Sequence, residues 1–174
     1  WAANLLRFLR VDGRAWWLED PLQNLYARAP VPLPGWVTLR SDVNYRNPTD
    51  ILRALNRLLP LPQPLEAGSP VTGSDIEIVS YAGTPDLLAR TVRAVTACVR
   101  QGYRREHIVI VTYRGREHSA FTPYDRLGPY SLRAPTGEYD LLGNALLTAG
   151  DVLIDSVHRY KGRAAPCVVF TEID

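Results

Sequence analysis

The chain has 174 residues, enough for one domain with its own core or one domain plus part of a second, and too few for two complete domains. Its 20 Lys plus Arg against 18 Asp plus Glu leave a net charge of +2, so overall charge points to no polyanionic partner and any basic surface must be local. No run of about 18 apolar residues and no signal-peptide layout is present, which predicts a soluble, cytoplasmic protein without a membrane partner.

Cys98 and Cys167 sit among apolar neighbours without metal-ligand spacing, and are expected to be buried, reduced thiols. Lys161 is the sole lysine; the arginine bias fits a GC-rich genome as well as phosphate recognition. The absence of methionine, the opening on Trp1 and the acidic stop after a predicted core strand read as a piece of a larger polypeptide.

In chain order, Arg14 to Leu18 is an apolar run compatible with a buried strand, ended by Glu19-Asp20-Pro21. Ala29 to Gly35 holds three prolines, which lack the donor that helix and central strand require, and reads as a connector. Trp36 to Leu39 is strand-like. Asn47-Pro48-Thr49-Asp50 carries a cap, a first-turn proline and an early acid, and Ile51, Leu52, Leu55, Leu58 and Leu59 then form an apolar stripe that Pro60 ends. Pro62 to Gly73 is a predicted loop and Ile76 to Val79 a predicted strand. Thr84-Pro85-Asp86 opens a longer helix with Leu87, Leu88, Thr91, Val92, Val95 and Val99 on one side, stopping at Gly102.

Ile108 to Val111 is a β-branched run expected of a strand covered on both faces. Ser119 to Leu127 reads as a short helix, and Leu142-Gly143-Asn144-Ala145 as a hairpin tip. Val152 to Ile154 and Cys167 to Phe170 are buried strands flanking a loop. Strands alternating with helices predict an α/β fold: right-handed crossovers and a mainly parallel sheet with helices on both faces.

Ligands gather where parallel strands end, and several polar clusters fall at such ends. Asn44-Tyr45-Arg46 offers a guanidinium fork for phosphate and an aromatic face; a surface ion pair and a half-buried tyrosine are the plain alternative. Tyr113-Arg114-Gly115-Arg116 suits a nucleic-acid backbone or a solvated turn. Ser156, His158, Arg159 and Lys161 gather a hydroxyl, an imidazole and cations on one loop before Gly162, which suits a polyanion. Upstream, Gln23 offers an amide and Tyr26 a stacking surface. No phosphate-cradling P-loop and no Gly-x-Gly-x-x-Gly is encoded, and His107 and His118 stand isolated.

Taken in order, these clusters resemble the second half of superfamily 1 DNA helicases of the UvrD/Rep type, over residues 14 to 174. Asp20-Pro-Leu-Gln-Asn-Leu-Tyr26 is similar to motif III, Asn44-Tyr-Arg46 with Ile51 and Asn56 to motif IV, Tyr113-Arg114 to motif IVa, and Ser156-Val-His-Arg-Tyr-Lys-Gly162 to motif V. The resemblance implies residues 1–28 as the tail of a first motor domain, 29–35 as a connector, and 36–174 as a second RecA-like domain lacking its own P-loop and truncated before motif VI. It implies that Gln23 senses the γ-phosphate, Tyr45 lies against adenine and Arg46 stabilises charge as the γ-phosphoryl leaves. Tyr26, Arg114, Ser156, His158 and Lys161 are implied to meet single-stranded or partly duplex DNA. ATP and Mg²⁺ would be bound mainly by the first RecA-like domain, absent from these residues, so the fragment alone is expected to be inactive. Three positions depart from the pattern: Glu19 replaces the glycine opening motif III, and Arg163-Ala164 replaces the Leu-Glu after motif V. The short span from Arg114 to Ser156 resembles the compact members, without the large inserted domain. The alternative is a catalytically inactive helicase-like module that binds nucleic acid or protein.

Overall fold

The computed structural model describes residues 4, 6–20, 29–73, 76–115 and 117–173. Its centre is β3 (Ile108–Thr112), whose five residues are all buried, as the uninterrupted β-branched run requires of a strand with neighbours on both edges and cover on both faces. β3 pairs in parallel with β8 (Val152–Ser156) on one side and β9 (Cys167–Thr171) on the other. β8 pairs in parallel with β5 (Tyr130–Arg133), and the two-residue β4 (Arg126–Leu127) adds an antiparallel edge, giving the order β4-β5-β8-β3-β9. The molecule is thus mixed α/β with a five-stranded, mostly parallel sheet.

One sheet face is closed by α2 (Gly83–Arg100). Leu87 and Val95 of that helix join Ile108, Ile110, Leu132 and Val152 in the principal core, with Phe121, Leu127 and Tyr130 sealing its side. Each such aliphatic side chain removed from water contributes roughly 1.5–3 kcal/mol. The buried Tyr130 keeps its hydroxyl paired at 2.9 Å with that of Thr96 and its ring beneath Arg105. The opposite face is thinner: Val109, Val111 and Leu153 are covered by Val157 and Tyr160 of the single-turn α3 (Val157–Tyr160) and by Ala165. Helical cover is therefore unequal on the two faces.

A second, smaller unit precedes the sheet. β1 (Val43–Asn44) pairs in parallel with β2 (Glu66–Ala67), joined by α1 (Thr49–Leu58). The predicted Pro62–Gly73 loop therefore contains a strand, fixed because Asn56 exchanges two 2.9 Å hydrogen bonds with the backbone of Leu65. Pro48 stands at the N-cap of α1, with no side-chain cap. The hairpin β6 (Pro135–Tyr139) to β7 (Ala145–Leu147) forms where expected, its turn held by Asp140 and by Gly143 at φ 81°. Gly150 lets the chain after it cross β5 closely, since a Cβ there would lie 2.5 Å from the carbonyl carbon of Leu132.

Four expected elements do not form. Arg14 to Leu18, Trp36 to Leu39 and Ile76 to Val79 have no regular structure, and Trp16, Leu18, Val37, Leu39 and Ile78 are exposed. β-propensity alone does not make a strand; these runs pair with no strand of the described residues. Ser119 to Leu127 is a chain of turns rather than a helix, cut by Pro123 and recruited at its end into β4.

Candidate functional site

The carboxyl ends of β3, β8 and β9 form one rim, and the predicted clusters converge there from distant parts of the chain. Thr112 and Ser156 are register partners, so the loop carrying Arg114 and the loop carrying His158 leave the sheet at the same level. After Thr112, its hydroxyl donates to the Arg114 carbonyl at 2.8 Å and the Tyr113 amide donates to the Thr171 carbonyl at 3.0 Å. Arg114 itself is exposed. The Tyr113 ring leans on Phe170 at 6.5 Å between centroids.

After β8 the chain enters α3 through Ser156, which is buried, while His158 and Lys161 face solvent. Asp155 is buried beneath this loop, accepting from the Ser156 amide at 2.8 Å with the Arg159 Nε 3.7 Å away. Burial pushes the Tyr160 hydroxyl above its ordinary range. Gly162, at φ 82°, turns the chain back toward β9.

Arg46 reaches this loop from the small unit: its Nη2 donates to the Gly162 carbonyl at 2.6 Å. The turn that aims it is made by Asn44, whose Oδ1 accepts from the amides of Arg46 at 3.0 Å and Asn47 at 2.9 Å. The two residues this Asx turn spans, Tyr45 and Arg46, are both exposed. Tyr45 is 73% exposed, and its inner side lies so close to Gly68 that a Cβ there would stand 2.5 Å from the ring. Arg46 thus shares a rim with His158 and Lys161. Gln23 and Tyr26 fall within residues 21–28, and Arg116 is likewise outside the described residues.

Beside the rim opens a cavity of about 140 Å³, lined by Thr112, Ser119, Phe121, Asp155, Ser156 and Arg159 among others. Glu172, at the end of β9, is buried and its Oε1 accepts from the Ala120 amide at 2.7 Å. Gly68, Asp155 and Glu172 carry no sequence pattern that marks them, because each owes its role to a neighbour distant in the chain. Cys98 of α2 and Cys167 of β9 are free and partly buried; burial, with Cys98 beside it, pushes the Cys167 thiol up to about 12, which keeps it protonated and inert at neutral pH.

No family model, curated protein or solved structure matches this chain. Among the described residues, no helix is long and apolar enough to cross a membrane.

Proposed function

We propose that the chain is the second, RecA-like motor domain of an ATP-dependent DNA helicase or translocase similar to the UvrD/Rep type. The observation that carries this reading is the 2.6 Å bond from Arg46 to Gly162. It joins the motif IV-like arginine to the motif V-like loop, so the group that would meet phosphate and the loop that would meet DNA move together.

Tyr45 and Arg46 suit a nucleotide. The tyrosine has an open face for a purine, and the guanidinium is a five-donor fork of which one donor goes to Gly162. Bound ATP would supply the phosphoanhydride whose hydrolysis drives domain movement. Arg46 would orient its terminal oxygens and stabilise charge there when an opposing lobe closes onto the rim, which couples closure to turnover. In this reading Mg²⁺ and the phosphate cradle belong to the opposing lobe, as the resemblance implies. His158, Lys161 and Arg114 would grip single-stranded DNA on the same rim, with Ser156 buried at the base of their loop; Gln23 would sense the nucleotide, and Tyr26 would stack on a base.

The test is ATP turnover and single-strand affinity of the full-length protein carrying Arg46→Ala. Turnover is expected to fall by at least about a thousandfold, the scale of arginine-finger contributions, while DNA affinity stays within about threefold of wild type. Turnover equal to wild type would remove Arg46 from the reaction. A wild-type protein that binds DNA without hydrolysing ATP would make the chain a binding module instead.

A further inference from the structure

Glu172 has no part in the reading above, yet it concentrates three penalties. It is 1% exposed; its φ of 60° is the only left-handed value at a non-glycine position among the described residues; and its Oε2 is buried without a hydrogen-bond partner. A buried, half-satisfied carboxylate is costly, and strained backbone persists where the surroundings over-determine it, commonly at functional sites.

What the residue holds is the loop after β3. The Tyr113 amide is fastened to the Thr171 carbonyl at 3.0 Å, and seven residues on, the Ala120 amide is fastened to Glu172 Oε1 at 2.7 Å. Both ends of the Tyr113-Arg114-Gly115-Arg116-Glu117-His118-Ser119-Ala120 segment are therefore tied to the end of β9. Between these ties, Thr112 holds the Arg114 carbonyl, while turns at Gly115 satisfy the amides of His118 and Ser119. The left-handed φ at Glu172 turns the chain out of the strand and accompanies the inward carboxylate. A loop fixed before binding loses less conformational freedom when a ligand arrives.

We infer that Glu172 is a positioning residue that pins this cationic loop so that Arg114 meets a single-stranded DNA phosphate pre-organised. It acts through Ala120 and touches no nucleic acid. The inference rests on the proposed role of the rim in DNA binding.

The experiment measures single-stranded DNA affinity of the full-length protein across a salt series, melting temperature, and hydrogen exchange at the Ala120 amide. Glu172→Gly relieves the strained φ and is expected to hold or raise the melting temperature, yet to bind about tenfold more weakly. Its log-affinity against log-salt slope should shrink by about 0.7, one phosphate contact on a single strand, and Ala120 should exchange faster while β3 amides do not. Glu172→Asp, a methylene short of Ala120, should repeat the loss; Glu172→Gln keeps the acceptor and should bind as wild type. Wild-type affinity and slope in the Gly and Asp variants overturn the inference, as does a parallel fall of melting temperature and affinity with no rescue by Gln. A wild-type protein that fails to bind single-stranded DNA defeats the reading of the rim itself, and the pinning role with it.

Discussion

Gly68 governs what Tyr45 can do. Its amide donates to the Asn44 carbonyl at 2.9 Å, prolonging the β1–β2 pairing, so its backbone is fixed directly beneath the tyrosine ring. A methyl group there would stand 2.5 Å from Tyr45 Cδ1 and Cε1 and 2.7 Å from Val43 Cγ1. Because Tyr45 is mostly solvent-facing, its ring would swing aside at little cost to stability. Gly68→Ala in the full-length protein is therefore expected to change unfolding free energy by less than about 1 kcal/mol. The KM for ATP should rise about tenfold with kcat nearly unchanged, the signature of lost ground-state binding; an unaltered KM would show that Tyr45 does not stack on the base. The Asn44-Tyr45-Arg46 cluster stands out in the sequence because an aromatic–arginine pair before a helix start is a local signal, whereas the Asx turn that aims it is seen only in the structure. Gly68 does not stand out, since a glycine in a proline-bearing loop looks the same whether or not a ring lies above it.

At the scale of elements, α2 illustrates how local charge fixes a boundary. Asp86 in its first turn accepts from Arg90 Nε at 2.7 Å and from the Ala82 amide at 2.9 Å, and these bonds, Arg90 first, hold its carboxyl below the ordinary value of 3.8. Asp140 in the hairpin turn is lowered chiefly by Asn144, and Asp151 chiefly by Arg105. A depressed folded pKa means that the unfolded chain takes up protons first as acid is added, so stability rises with pH in that window and is lost as pH falls through the folded values. Unfolding free energy should be level between about pH 7 and 5 and decline below about pH 4. In Asp86→Asn the decline should be shallower, measured by urea titration at stepped pH; identical acid limbs would show that this carboxylate is not linked to folding.

The same helix, with β3 and β8, was plain in the sequence because periodicity and burial agree there; β9 forms where expected, but its Val168 and Phe170 are half exposed rather than buried. Trp36 to Leu39 and Ile76 to Val79 had the composition of strands and became irregular chain, since strand formation depends on non-local pairing that no local pattern reports. Ser119 to Leu127 failed for a different reason: the amides of Phe121, Thr122 and Tyr124 bond locally in turns, Pro123 lacks the donor a helix needs, and β5 captures the last two residues.

Over the whole molecule, a mostly parallel sheet forms as expected, although two strands of the alternation that predicted it do not, and the uneven cover of its faces was not foreseen. Val168 and Phe170 are in register with Val109 and Val111, so all four belong to one face. α3 and Ala165 pack on the β3–β8 half of it, leaving Val168 at 47% and Phe170 at 46% exposure, with Tyr113 and Ile173 also exposed. Among the described residues β9 is moreover the last strand of the sheet, and its five residues include no charge or proline to discourage a further strand from adding. An apolar, uncharged edge of this kind is a template for pairing with another chain. The 174-residue chain is accordingly expected to self-associate as its concentration rises through the micromolar range. Val168→Lys sets a charge on the open face without touching the principal core and should keep the chain monomeric with a melting temperature within a few degrees of wild type. Sedimentation velocity over a hundredfold concentration range tests both statements. A wild-type chain that stays monomeric throughout would mean that the twist of β9 and its flanking turns protect the edge despite its composition.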